Sequence, residues 1–259
     1  DEFSNFKNKS LTIELLKKGF SKKIVSEFQE KIINNEEIED PELFFYHYLA
    51  KKLVLPFEDQ VLNSDVIFLN GPTGSGKTTL CAKISSYILD NLFSSNEKDK
   101  LSILNFGPKS RVNSELLNFG RLLNLRVSSI SSLDNLVKYI EENKQKTKLI
   151  IDISIENSEF TRYLEYLEKI TLNKKYLNLL AIPSSTNKNM IKSTMKLYKN
   201  SFPTFALTKL DESQISAEEL SIFAELEFKI GILSGSRSII GSLAFAKSEV
   251  LAQYMKDIT

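Results

Sequence analysis

Cysteine is nearly absent from these 259 residues: Cys81 stands alone, so no internal disulfide can form. A lone cysteine fits a reducing cytosol, and its place in a helical stretch reads as a small buried hydrophobe. Long apolar runs are missing too. None approaches the roughly 20 residues that a membrane helix needs, so no transmembrane segment is expected. There is no excess of charge, since 34 basic and 33 acidic side chains leave a formal net charge of +1. That balance supplies no global attraction to nucleic acid or anionic lipid, and no direct nucleic-acid binding is expected. Histidine is reduced to His47, set among aromatic residues, where a packing or surface role outweighs a metal or catalytic one. Internal repeats and long low-complexity linkers are absent, and Ser94–Lys100 is the most polar connection. The chain opens Asp1-Glu2-Phe3 without an initiator Met, which reads as an excised fragment.

What is present is a core. Hydrophobic residues make up 42% and charged residues 26% of the chain, enough for one large α/β domain, or one with a small appendage. Through about residue 60, the apolar positions Leu11, Leu15, Leu16 and then Ile24, Val25, Phe28, Ile32 recur at helical spacing. A third stripe, Phe44, Phe45, Tyr48, Leu49 and Leu53, follows the helix-start signal Asp40-Pro41. Residues 1–60 are therefore expected to form a helical N-terminal unit, and 61–259 a second domain.

From Val66 the rhythm changes. Strands are expected at Val66–Asn70, Leu101–Phe106, Leu125–Ser129, Leu149–Ile153, Leu177–Ile182, Thr204–Thr208 and Ile230–Ser234. Helical stretches follow each one, from Thr78–Asn91 after the first to Gly241–Lys256 after the last. This alternation predicts an α/β fold: a doubly wound, mostly parallel sheet covered on both faces. Such sheets bind ligands at the carboxyl ends of their strands.

The residues at those ends carry chemistry. Gly71-Pro72-Thr73-Gly74-Ser75-Gly76-Lys77-Thr78 satisfies G-x-x-x-x-G-K-[ST], after a strand and before a helix, with Thr79 continuing it. Glycines let backbone N–H groups approach phosphate, and the helix N-terminus adds its positive end. Lys77 would reach the β- and γ-phosphates, and the Thr78 hydroxyl would ligate Mg²⁺. Asp152 ends the apolar run Lys148-Leu149-Ile150-Ile151 and is placed to hold that Mg²⁺ through water. Thr208-Lys209-Leu210-Asp211 closes the sixth expected strand. The Asp211 carboxylate can accept from N1–H and the N2 amine of guanine, a donor pair adenine lacks, while Lys209 lays its stem along the base. Ser234 and Gly235 would close over the base with backbone groups. The nucleotides so implied are GTP and GDP.

These pieces, in this order over nearly the whole chain, resemble the signal-recognition-particle class of GTPases, in which a helical N domain precedes the GTPase domain. Leu15-Leu16-Lys17-Lys18-Gly19-Phe20-Ser21 is similar to the loop of that N domain. The GPTGxGKTT form of Gly71 to Thr79, the strand Leu179 to Lys188 and Thr208 to Glu212 are similar to the flagellar branch of the class. The resemblance implies a GTP-dependent homodimer, a MinD-like ATPase regulator, and flagellar basal-body or membrane components as partners. It also implies a cytoplasmic protein, peripherally bound at the membrane or cell pole. The family's DTYR signature falls at Phe106-Gly107-Pro108-Lys109, so the water-activating aspartate is replaced by Phe106 or, one residue earlier, Asn105. Lys109 stands where a catalytic arginine is expected. DTAGR becomes Asp152-Ile153-Ser154-Ile155-Glu156, losing the glycine that senses γ-phosphate. Weak GTP hydrolysis is therefore expected, since removing one such group costs on the order of 2.7–4 kcal/mol of transition-state stabilisation. A non-catalytic scaffold and a particle-receptor-like protein are the alternative readings.

Overall fold

A computed structural model describes residues 2–32, 38–107, 113–155, 159–236 and 238–258. Among the described residues eight strands form one sheet: β1 (Val66–Asn70), β2 (Leu101–Phe106), β3 (Arg126–Ile130), β4 (Lys148–Ile153), β5 (Tyr176–Pro183), β6 (Thr204–Thr208), β7 (Ile230–Leu233) and β8 (Ala244–Phe245). Their spatial order is β3-β2-β4-β1-β5-β6-β7-β8. All neighbours pair in parallel except β7 and β8. β1, β2, β4 and β6 are buried at every position, as strands covered on both faces must be.

Eleven α-helices lie among the described residues: α1 (Glu2–Lys17), α2 (Lys22–Ile32), α3 (Pro41–Leu53), α4 (Glu58–Asn63), α5 (Lys77–Leu92), α6 (Ser114–Leu123), α7 (Leu133–Asn143), α8 (Glu159–Ile170), α9 (Lys188–Tyr198), α10 (Ala217–Glu225) and α11 (Ser248–Ile258). Local chemistry sets several starts. Asp40 accepts from the Leu43 amide at 2.9 Å ahead of Pro41 in α3, as the Asp-Pro signal predicts. Ser216 and Glu219 form a reciprocal capping box on α10. No described helix is long and apolar enough to cross a membrane.

The sheet separates two apolar layers. Residues of α4, α5 and α6 pack on one face, through Val61, Leu80, Ile84, Ile88 and Leu116. The other face carries α7 to α11, and α1 to α3 extend the same layer through Leu15, Phe28, Phe45 and Leu49. α3 lies against α11 and α10, and α2 against α10. The Ser21 amide donates to Ser221 Oγ at 3.0 Å, and the Leu55 amide to the Ile230 carbonyl at 3.0 Å.

Two parts of the sequence reading shift. The expected helix over Gly241–Lys256 begins only at Ser248, because Ala244–Phe245 pairs with β7 and gives the sheet its antiparallel edge. The short helix α4 carries no periodic signal in the sequence, because its six residues are too few to show a period.

Candidate functional site

The carboxyl ends of β1, β2, β4 and β6 open on one cleft of about 1050 Å³, lined by the whole loop from Gly71 to Thr79. Gly71 sits at φ +143°, and a Cβ there would stand 2.5 Å from the Ala181 carbonyl oxygen. Only glycine fits the point where this loop leaves the sheet. Gly74 and Gly76 take φ of +78° and +81°, and α5 starts directly after them with Lys77. The amides of that first turn have no earlier carbonyls to meet and face outward as anion-binding donors. Lys77 is buried and its ammonium donates to the Gly71 and Pro72 carbonyls, each at 2.9 Å.

One position along, the Thr78 hydroxyl donates to Asp152 Oδ2 at 2.9 Å. Asp152 is 1% exposed, and its other oxygen, Oδ1, is buried without a hydrogen-bond partner. Burial raises its pKa, offset by the Thr78 hydroxyl and the Lys77 charge, while Glu115 pushes it up further. A carboxylate oxygen left bare beside a hydroxyl suits a hard divalent cation that completes its shell with water and phosphate oxygens. Among the described residues no three His, Cys, Asp or Glu side chains gather into a self-sufficient metal cage. The donor set thus fits a cation delivered with a phosphate ligand.

The second half of the site is joined to the first. Thr208 Oγ1 donates to the Ser75 carbonyl at 2.6 Å, tying the end of β6 to the phosphate loop. Lys209 follows at φ +59°, its carbonyl held by Ser184 Oγ at 2.9 Å and its ammonium 3.4 Å from Glu212. The Leu210 amide donates to the Ser234 carbonyl at 3.2 Å, and a Cβ on Gly235 would stand 2.8 Å from that of Leu210. Ser234 and Gly235 therefore pack against the segment that contains the exposed Asp211.

Sequence reasoning left open which residue replaces the missing aspartate at the end of β2. Phe106 turns to the opposite layer, 1% exposed and 5.9 Å from the Tyr163 ring. Asn105 alternates to the cleft side and pairs in register with Asp152. The Ser154 amide donates to the Phe106 carbonyl at 2.7 Å, so the segments after β2 and β4 are pinned together. Ile153 is buried and Ile155 half-buried against the core, anchoring this stretch. Lys109 and Glu156 lie outside the described residues.

Three groups escaped the sequence reading. Glu115, in the first turn of α6, lines the cleft and reaches Thr79 Oγ1 at 3.5 Å. Its one signal was an acid at a helix start. Lys83 is 1% exposed and donates to Ser234 Oγ at 3.0 Å and to the Ser236 carbonyl. Burial lowers its pKa, against the pull of Asp211. A lysine in an amphipathic pattern reads as solvated, so nothing marked it. Beneath the phosphate loop, Tyr163 and Asn178 flank Asn70, with Tyr163 Oη donating to its Oδ1 at 2.7 Å.

No protein-family model matches the chain. It is 24% identical over 209 residues to the flagellar biosynthesis protein FlhF of Pseudomonas aeruginosa, covering 79% of this chain and 47% of that one. The chain thus spans about half the length of the curated relatives it matches. Among solved structures, FlhF complexed with GTP and Mg²⁺ matches with a TM-score of 0.73 at 16% identity, over 96% of this chain and 98% of that one. Cell division protein FtsY from Thermotoga maritima matches with a TM-score of 0.67 at 20% identity, over 96% and 87%.

The fold is that of the signal-recognition-particle GTPases. Within that fold this chain is similar to FlhF, and the likeness in fold, over 96% of the chain, takes in the N-terminal helices as well as the sheet. The elements of the candidate site all leave the carboxyl edge of one mostly parallel sheet.

Proposed function

We propose that this chain binds GTP and GDP with Mg²⁺ and acts as an FlhF-like switch for flagellar placement or number, hydrolysing GTP slowly. One observation carries the reading: the Thr208 hydroxyl ties the segment of Asp211 to the phosphate loop, whose Thr78 stands beside the bare oxygen of Asp152. Backbone amides from Gly71 to Thr79, with Lys77, hold the phosphates. Asp211 accepts from guanine, Lys209 covers one face of the base, and Ser234 and Gly235 close over it. Thr78 and Asp152 hold the cation, which supplies charge neutralisation across the phosphates. FlhF, whose fold this chain shares, is known with GTP and Mg²⁺ bound.

Slow turnover follows from what replaces the water-activating aspartate. Phe106 turns into the core, and Asn105 on the cleft side carries no charge. Lys109 is assigned the place of the charge-stabilising arginine. The domain reading gives residues 1–60 to a helical N unit and 61–259 to the GTPase unit. With it come a GTP-dependent homodimer, a MinD-like ATPase regulator, and a place at the membrane or cell pole among flagellar basal-body components. The same Phe106 favours a second reading, a nucleotide-binding scaffold without catalysis.

Titration with fluorescent, non-hydrolysable GTP and ATP analogues in Mg²⁺, with mass followed by light scattering, tests the proposal. Guanine-selective binding with a doubling of mass is the expected result. Binding without a change in mass would favour the scaffold, and equal affinity for both analogues would sink the guanine assignment.

A further inference from the structure

The cleft has two ends. Lys209, two residues before Asp211, lines the end assigned to the base, whereas Lys77 and Thr78, the latter bonded to Asp152, line the end that would meet the terminal phosphate. Neither Phe106, which faces the core, nor the amide of Asn105 supplies an acid there. One further carboxylate does line this end. Glu115 stands on the first turn of α6, 3.5 Å from Thr79 Oγ1, on the helix packed against α5. Its charge is felt at Asp152, whose hydrogen-bond partner Thr78 lines the same cleft as Glu115. The buried, unpartnered Oδ1 of Asp152, on the carboxylate bonded to the cleft residue Thr78, independently points to a ligand beside Thr78.

We propose that Glu115 positions the water that attacks the terminal phosphate, taking over the place that β2 leaves without an acid. The inference rests on the GTPase reading above. Its physical basis is that an acceptor oxygen facing a phosphate is best satisfied by a donor that bridges the two. Water has two protons to give: one to the Glu115 carboxylate, one towards a phosphate oxygen. That arrangement aims the water lone pair at phosphorus. The new bond joins the water oxygen to the γ-phosphorus, the bond from that phosphorus to the β–γ bridging oxygen breaks, and GDP leaves with its electron pair. The water proton passes to the phosphate product, so Glu115 ends unchanged. Orientation of this kind is the role that glutamine plays in other phosphate-loop GTPases, and it requires only an acceptor at the correct distance.

Glu115 is exposed and outside the core, so its replacement leaves folding intact. The test compares wild type, Glu115→Ala and Glu115→Gln in single-turnover GTP hydrolysis at saturating protein, alongside affinity for the fluorescent non-hydrolysable analogue in Mg²⁺. Glu115→Ala is expected to slow hydrolysis at least roughly thirtyfold while affinity stays within about threefold, and Glu115→Gln to keep most of the rate through its side-chain carbonyl. An Ala rate within about threefold of wild type overturns the assignment. So does a loss of Mg²⁺-dependent affinity that matches the loss of rate, because Glu115 would then be holding the cation. Wild-type protein that binds the analogue but never hydrolyses GTP also overturns it, while leaving nucleotide binding intact. Failure to bind at all refutes the GTPase reading itself.

Discussion

At the scale of single residues, the proposed choice of guanine rests on Asp211 more than on any group around the phosphates. A loop that cradles phosphate cannot tell one base from another, whereas a carboxylate accepting from N1–H and the N2 amine can. Asp211→Asn replaces one acceptor oxygen with an NH₂ donor, which confronts the guanine amine with a second donor. Loss of one hydrogen bond to a charged acceptor, with the remaining one no longer charge-assisted, is expected to weaken GTP binding roughly a hundredfold, about 2.7 kcal/mol. Xanthosine triphosphate, with a carbonyl in place of that amine, should recover much of the loss. Analogue titration of both nucleotides checks this, and unchanged GTP affinity would remove Asp211 from the site. The phosphate loop, Asp152 and the Thr208 to Asp211 run were all legible in the sequence, because each is contiguous and set by backbone requirements. Glu115, Lys83 and Asn70 were not. Each acquires its meaning from a neighbour far along the chain, as Lys83 does from Ser234, and periodicity cannot register such a pairing.

At the scale of elements, the end of β1 is held by a directed chain of hydrogen bonds. Tyr163 of α8 donates to Asn70, Asn70 donates to Asn178 of β5 at 2.7 Å, and Asn178 donates to Ser201 Oγ at 2.7 Å. Asn70 directly precedes Gly71, so α8 and the phosphate loop share one rigid support. Tyr163→Phe leaves Asn70 Oδ1 buried without that donor, and a loss of about 1–3 kcal/mol in urea unfolding is expected by circular dichroism. A change below about 0.5 kcal/mol would mean that the chain of bonds does not stabilise the fold. A second polar tie links α4 to β4, where the Lys148 ammonium meets the Leu62 carbonyl at 3.2 Å and also the Ser64 carbonyl. Burial drives its pKa from the ordinary 10.5 down to about 8, and Asp65 only partly opposes this. Between those pH values the unfolded chain holds the extra proton, so stability rises with pH there. The contribution is complete above 10.5 and is lost as pH falls through about 8. Wild type should therefore gain on Lys148→Met between pH 8 and 10, by at most about 3 kcal/mol. A gap between their urea midpoints that is flat with pH would refute it. Strand positions were readable because parallel strands are continuous apolar runs. β8 was not, since two residues of edge pairing leave no pattern.

At the scale of the whole molecule, the N-terminal helices are built into the sheet layer and do not simply lean on it. Phe45, Leu49 and Leu53 of α3 belong to the same apolar cluster as Phe205 of β6, Phe223 of α10 and Met255 of α11. Val54 bridges to Ile230 of β7, and the Lys229 ammonium reaches the Lys52 carbonyl. Removing the first helices would strip the covering from one side of α10 and α11, so no half of this cluster is dry alone. Two units that share a dry core cannot unfold separately without exposing it, which makes their transitions one. Differential scanning calorimetry is expected to show a single peak with calorimetric and van't Hoff enthalpies in agreement. A nucleotide held at the distant carboxyl edge of the sheet should then protect α3 as strongly as α5, because ligand binding stabilises whatever unfolds with the site. At a hundredfold excess over Kd that protection is about 2.7 kcal/mol, and hydrogen exchange of the slowest α3 and α5 amides should slow together. Two calorimetric peaks, or protection confined to α5, would show that the helical unit and the nucleotide site are energetically separate, and a switch operating through the N-terminal helices would need another connection.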